Sequence, residues 1–177
     1  MLNPTRRLTR RPLHAAVAGA TGLLGAALAS GALAAPTKHA RPISLTFSAA
    51  IISTTGDPTR APAPGNQLVE AGIATSKPGG DGATVSHVKI TGIDPATGAE
   101  TYTATFTVYL LKGTQSGTVR GTATPQPDHS VSFRGTGAYT NGTGTFKGIR
   151  GRFTFTGTQP GAPGAPDTIR ATGTATY

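Results

Sequence analysis

The 177-residue sequence contains no cysteine. Disulfide bonds therefore cannot stabilise the fold, and thiolate chemistry and cysteine metal sites are excluded. Acidic residues are also few, with seven Asp and Glu against 16 Lys and Arg. After residue 34 no segment places apolar residues at helical spacing over three turns, which argues against helices. Core packing and the pairing of β-strands must then hold the molecule together.

The first 34 residues have the pattern of a signal peptide. Four arginines between positions 6 and 11 precede an uncharged run rich in Ala, Gly and Leu that ends in Ala32-Leu33-Ala34. A basic start, an apolar centre and small residues at the end are typical of secretory leaders. Residues 9–13, TRRPL, also resemble a twin-arginine export motif, although ordinary leaders contain paired arginines too. The sequence predicts a bacterial protein that works outside the cytoplasm and has no stable membrane anchor.

Removal of this leader would leave 143 residues, with 12 Lys and Arg against all seven acids and a net charge of +5. A chain of that length is enough for one domain that buries roughly two thirds of its unfolded surface. We expect a short disordered segment at 35–42 and a single domain at 43–177. The moderate charge is not that of a basic tail.

Alternation of apolar and hydroxyl residues is the main pattern of the domain. Successive side chains of a strand point to opposite faces, so this pattern predicts half-buried strands. It is clearest at 43–51, 101–110 and 168–175, and shorter versions lie around Val119, Val131 and Phe153. Segments 68–76 and 83–91 are also predicted strands, with less certain facing. The result is an all-β domain of eight strands, which Pro and Gly turns connect as antiparallel neighbours. Periodicity leaves a sandwich and a closed barrel open.

A glycine-rich segment at 131–156 points to a family. So much glycine in a strand region indicates bends, bulges or close backbone contacts. Residues 141–151, NGTGTFKGIRG, resemble the late GGTG-F-x-x-A/V-x-G signature of the allene oxide cyclase and dirigent superfamily. Segments 68–75, 101–109 and 113–124 are similar to successive strands of that family, in the same order. The resemblance covers about two thirds of the predicted domain.

The resemblance implies an eight-stranded antiparallel β-barrel, often a homotrimer, whose cavity binds small apolar or phenolic molecules. It does not transfer a reaction. Carboxylates on early strands take part in the chemistry of the plant proteins, whereas residues 43–53 contain no Asp or Glu. A cyclase-like isomerase activity or a stereo-guiding, dirigent activity is therefore an alternative to simple binding.

The alternation also names candidate site residues. The inward face of a barrel would present ligand-pocket candidates at six positions: Leu45, Phe47, Tyr102, Phe106, Phe133 and Phe155. Glu70 is the candidate catalytic residue, because burial within an apolar strand would raise its pKa and suit it to proton transfer. The sequence favours the other orientation of this strand, in which Val69, Ala71 and Ile73 face inward and Glu70 faces water.

Other candidate sites are weaker. Asp57, Asp94 and Glu100 lie at turns and are expected to be turn or capping residues. His87 and His129 have no second ligand at a short spacing, so no metal site is predicted. The glycines at 142 and 144 precede no helix that could bind a phosphate, so no cofactor is predicted either.

Basic residues cluster at four positions, Arg134, Lys147, Arg150 and Arg152, near three phenylalanines. Such a cluster could face an anionic surface or ligand, but a solvated barrel rim is the commoner arrangement. With an export leader, nucleic acid is not expected as a partner. Two longer connections, 55–65 and 159–166, are either lids or simple spacers. Three functions stay open: ligand binding, catalysis or guidance in the cavity, and a structural role with a filled barrel.

Overall fold

The computed structural model describes residues 39–56, 63–162 and 164–177, and the predicted leader lies outside them. Eight strands make up most of this part. Their bounds are β1 (Arg41–Thr54), β2 (Gln67–Lys77), β3 (Gly80–Ile93), β4 (Glu100–Leu110), β5 (Gly113–Pro125), β6 (Val131–Gly142), β7 (Arg150–Gln159) and β8 (Asp167–Thr176). A single 3₁₀ turn covers Gly144–Phe146. Within the described ranges no helix is long and apolar enough to cross a membrane.

The strands form a closed antiparallel barrel. Each strand pairs with the next in the chain, and β8 returns to pair with β1, where Leu45 lies opposite Ala171. This confirms the all-β class and the eight-stranded antiparallel barrel, so the sandwich alternative does not apply. β1 begins at Arg41, two residues before its predicted start, because Arg41 and Pro42 continue the pairing with β8. Closure leaves no sheet edge exposed for aggregation.

Glycines on β5 and β6 make room for aromatic rings on neighbouring strands. Tyr102 on β4 lies directly opposite Gly121 on β5, and a Cβ atom at position 121 would come 2.8 Å from Cζ of Tyr102. Phe106 covers Gly117 in the same way. The glycine-rich segment has the same kind of contact, since a Cβ atom at Gly135 would come 2.5 Å from Cζ of Phe155. Contacts between rings and bare backbone pack large rings inside a narrow barrel.

One end of the barrel is closed by the connection between β6 and β7. Phe146 of the 3₁₀ turn is 2% exposed and Ile149 is fully buried. The ring of Phe146 packs against Tyr177, with centroids 5.7 Å apart. A buried hydrogen bond from Ser76 Oγ to Gln115 Oε1 (3.1 Å) lies in the same half of the barrel. The motif that carries the family resemblance therefore forms a plug.

The other end has four connections, because β1, β3, β5 and β7 all finish there. Both candidate lids, 55–65 and 159–166, belong to this set. In the described part of the first connection, Asn66 is hydrogen-bonded to the end of β3, since the backbone N–H of Ile90 donates to the carbonyl oxygen of Asn66 (3.0 Å). We call this end the mouth of the barrel.

Candidate functional site: a cavity beneath the mouth

The barrel encloses a cavity of about 90 Å³ in the half that faces the mouth. At about 30 Å³ of liquid volume for each water, this space corresponds to roughly three water molecules, so a ligand with one or two rings would lie only partly within it and would extend toward the mouth. Side chains from all eight strands form its wall. The aromatic rings that fill the barrel elsewhere therefore leave part of the interior open.

The floor of the cavity is an aromatic cluster. The rings of Phe106 and Phe153 meet edge to face with centroids 5.8 Å apart, and Tyr139 packs against both. Edge-to-face pairs stabilise a core beyond the area that they bury. This cluster separates the cavity from the plug, so the mouth is the natural route of entry.

All six ligand-pocket candidates line the cavity. They come from four strands: Leu45, Phe47, Tyr102, Phe106, Phe133 and Phe155. Phe47 and Phe133 are only partly buried, whereas the other four are at most 8% exposed. The wall thus has a deep apolar part and two rings with access to solvent, which is typical of small-molecule sites.

Glu70 faces the cavity, so the favoured outward orientation is wrong. The reason is register: Glu70 lies directly opposite Ser86 of β3, whose side chain is buried inside. Paired residues share a face of the sheet, so Ile73 is forced outward and is 72% exposed. Burial raises the pKa of Glu70 to about 7, and the negative charge of Asp167 adds to the rise.

Asp167 is a second carboxylate in the same cavity, and it is 4% exposed. Its Oδ1 accepts a hydrogen bond from the backbone N–H of Ala49 (3.0 Å), which fixes the side chain across the β1–β8 seam. Burial raises the pKa of Asp167 to about 6, although the bond from Ala49 opposes the rise. Two carboxyl groups that titrate near neutrality therefore share one apolar cavity.

Three more polar groups complete the wall: Ser86, Glu100 and Tyr102. Burial raises the pKa of Glu100, so this residue is more than the turn residue that we expected. The pKa of the Tyr102 hydroxyl is raised by burial and then by the charges of Glu70 and Asp167. The hydroxyl stays protonated and can donate a hydrogen bond to a ligand.

The remaining candidates lie elsewhere. Asp94 is a turn residue, as expected: its oxygens accept bonds from Ala96 N (2.9 Å) and Thr97 Oγ1 (2.8 Å). These bonds lower its pKa. His87 and His129 are exposed on the outside, and Asp57 lies outside the described residues. In the described part of the chain no group of three or more acids and histidines is placed to hold a metal ion.

The basic cluster is separate from the cavity. Its four members, Arg134, Lys147, Arg150 and Arg152, are exposed. The phenylalanines beside them in sequence, at 133, 146 and 153, point into the barrel or form its plug. Rings and charges thus occupy opposite faces of the wall, and the cluster does not form one surface with the aromatic residues.

Sequence reasoning missed Asp167, Glu100 and Ser86. The first two could have been found, because each continues the alternation of its strand by one more step toward the mouth. Asp167 precedes inward-facing Ile169 by two residues, and Glu100 precedes Tyr102 by two. Ser86 gave no such indication, since both faces of β3 carry apolar and hydroxyl residues.

No protein-family model and no curated protein matches the sequence. Among solved structures, a pyocyanin demethylase is similar at a TM-score of 0.43 and 17% sequence identity. The alignment covers 72% of this chain and 97% of that one. Similarity at this level assigns neither a family nor an activity.

Proposed function

We propose that the protein binds one small apolar or phenolic molecule inside the barrel, outside the cytoplasm. The observation that carries the proposal is the cavity of about 90 Å³ beneath the mouth, walled by aromatic rings and a few polar groups. Concave, mostly apolar sites with a few placed polar groups are the usual form of small-molecule sites. The leader-like first 34 residues support the location, and the resemblance to dirigent-type barrels supports the class of ligand.

Native mass spectrometry of protein purified from its own source tests this proposal. A stoichiometric small molecule released on mild denaturation is the expected result. In parallel, 2-naphthol and 1-decanol should raise the melting temperature of the purified protein, because a ligand that binds only the folded state stabilises it.

A cavity-filling variant locates the binding. Ala123→Leu adds bulk to the cavity wall and should abolish the thermal shift, whereas Ala83→Leu adds the same bulk on the exposed outer face and should leave it unchanged. No released molecule together with no shift by either compound would favour the structural role. If the compounds raise the melting temperature of both variants equally, binding takes place outside the barrel.

A second candidate is proton-transfer catalysis of the isomerase type, favoured by one observation. Glu70 has a pKa of about 7 inside the cavity, and a general base is most effective when its pKa is near the working pH. Its carboxylate would take a proton from carbon and return one to the same molecule, with no other reactant needed. Confinement alone, as in stereo-guiding proteins, would use the same cavity without that transfer.

Exchange of the α-protons of 2-tetralone in D₂O, followed by NMR, tests this candidate. The protein should accelerate the exchange, and Glu70→Gln should remove the acceleration. Asp94→Asn is the matched control, since it removes a carboxylate of the exposed β3–β4 turn. Equal exchange rates with the unaltered protein and with Glu70→Gln would exclude Glu70 as the base and leave the binding proposal standing.

A further inference from the structure

Five of the six acids in the described residues lie toward one end of the barrel, and the sixth, Asp81, lies at the other. Three of them line the cavity, and Asp94 and Asp128 lie in the turns that surround the mouth. The opposite end carries five basic residues: Arg41, Lys77, Lys112, Lys147 and Arg150. In the described parts of the four connections at the mouth there is no Lys or Arg. This distribution makes the described part of the mouth more negative than the closed end, which favours cations over anions there.

Two hydroxyl groups and one carboxylate that line the cavity make no hydrogen bond to other described residues. Ser86 and Tyr102 are 5% and 8% exposed, and neither hydroxyl makes a hydrogen bond to another described residue. Their oxygens open onto the cavity, where water or a ligand can form a hydrogen bond with them. The carboxylate of Glu70 also accepts no hydrogen bond within the described part of the chain. The wall therefore offers several acceptors and two hydroxyl groups to whatever occupies it.

The charge of the wall selects among ligand classes. None of the lining residues is basic, so a ligand carboxylate or phosphate would meet carboxylates with no compensating cation. A purely apolar ligand would displace the remaining water from Glu70 and Asp167 without offering these carboxyl groups a hydrogen bond or an opposite charge. A positively charged group would compensate the charges of both carboxylates, and the aromatic rings would add cation–π attraction.

We infer that the ligand is an organic cation with one or two rings, held with its positive group against Glu70 and Asp167 and its ring among the phenylalanines. The inference rests on the proposed function, because it requires that the cavity takes up a small molecule. It adds to the proposed function that the small, mostly apolar ligand carries an ammonium or N-alkylated group. The acidic mouth then serves to admit the same class of molecule that the cavity holds.

Three probes of the same size separate the possibilities: benzyltrimethylammonium, its neutral carbon isostere neopentylbenzene, and the anion benzylsulfonate. Their binding to the purified protein is measured by equilibrium dialysis at about pH 8, where both carboxyl groups are ionised. We expect the cation to bind at least about tenfold more tightly than the neutral isostere, and the anion not to bind. This comparison uses the unaltered protein, so it does not depend on any variant folding.

Variants then assign the effect. Glu70→Gln should weaken binding of the cation by at least about tenfold and leave binding of neopentylbenzene unchanged, because the substitution removes the charge of the side chain and keeps its shape. Asp81→Asn removes one charge at the closed end, where Asp81 accepts a hydrogen bond from Thr75, and should change neither. Binding of neopentylbenzene as tight as that of the cation would overturn the inference while the proposed function stands. Binding by none of the three probes, while 2-naphthol still raises the melting temperature, would also overturn the inference and leave the proposed function standing.

Discussion

Phe155 lies flat over Gly135, its direct partner on the neighbouring strand, so that a Cβ atom at position 135 would come 2.5 Å from Cζ of the ring. Gly135→Ala should meet both this ring and the backbone oxygen of Arg120 and cost about 1–3 kcal/mol, the usual range for overpacking a core. Urea denaturation measures the loss. Gly92→Ala is the control, since its Cβ would meet only the Thr101 hydroxyl at 3.0 Å. Equal losses in the two variants would show that the ring contact is not the cause.

The free energy of unfolding of the barrel should fall as the pH rises from 4.5 to about 7. Glu70 has a folded pKa of about 7 against an ordinary value of 4.5, so the folded state holds its proton more tightly than the unfolded state. Between those two values the unfolding free energy therefore decreases with pH, by on the order of 3 kcal/mol from this group. Above about pH 7 the loss is complete.

Urea denaturation at a series of pH values tests this slope. Glu70→Gln should flatten the curve and be more stable than the unaltered protein at about pH 8. Asp94→Asn is the control of opposite sign, because hydrogen bonds lower the pKa of Asp94 and its contribution disappears only in acid. An unchanged slope in Glu70→Gln would mean that this carboxyl group is not buried.

Asp167 should matter to the fold through its hydrogen bond to Ala49 N. Asp167→Asn keeps an oxygen that can accept this bond, whereas Asp167→Ala leaves a buried N–H without a partner. We expect the Ala variant to unfold about 1–3 kcal/mol more easily than the Asn variant. Thermal denaturation of the pair at one pH gives the difference, and equal melting temperatures would show that the bond contributes nothing.

The plug should be the most sensitive point of the closed end. Phe146→Ala removes a ring that is 2% exposed and should cost about 3–5 kcal/mol, because the cavity left behind cannot collapse fully. Leu111→Ala, at the same end but 96% exposed, should change stability by no more than about 0.5 kcal/mol. A small loss in Phe146→Ala would show that the end of the barrel closes without this ring.

The strands were predictable because most of them carry one apolar and one hydroxyl face. The alternation at 101–110 places Tyr102 and Phe106 on the inner side of β4, where the structure has them. Closure was not predictable from local pattern, since it depends on the pairing of β1 with β8, the two most distant strands in sequence. The family resemblance, rather than periodicity, indicated a barrel.

Glu70 shows where pattern reasoning fails. Both faces of β2 carry apolar residues, Leu68 and Ala74 on one side and Val69 and Ile73 on the other, so composition favoured burial of the larger set. The register with β3 decides the matter, and register is a property of two strands together. The same holds for the rings over glycines, because each contact joins residues on different strands.

The hydrogen bond between Ala49 and Asp167 joins residues 118 positions apart in the chain. A nascent chain that lacks β8 has two open sheet edges and no Asp167, so it has neither a closed wall nor a complete binding site. Contacts of such sequence separation form slowly, and exposed edges invite association with other chains. In chain order β8 is the last of the eight strands, and it both closes the wall of the barrel and brings Asp167 to the cavity.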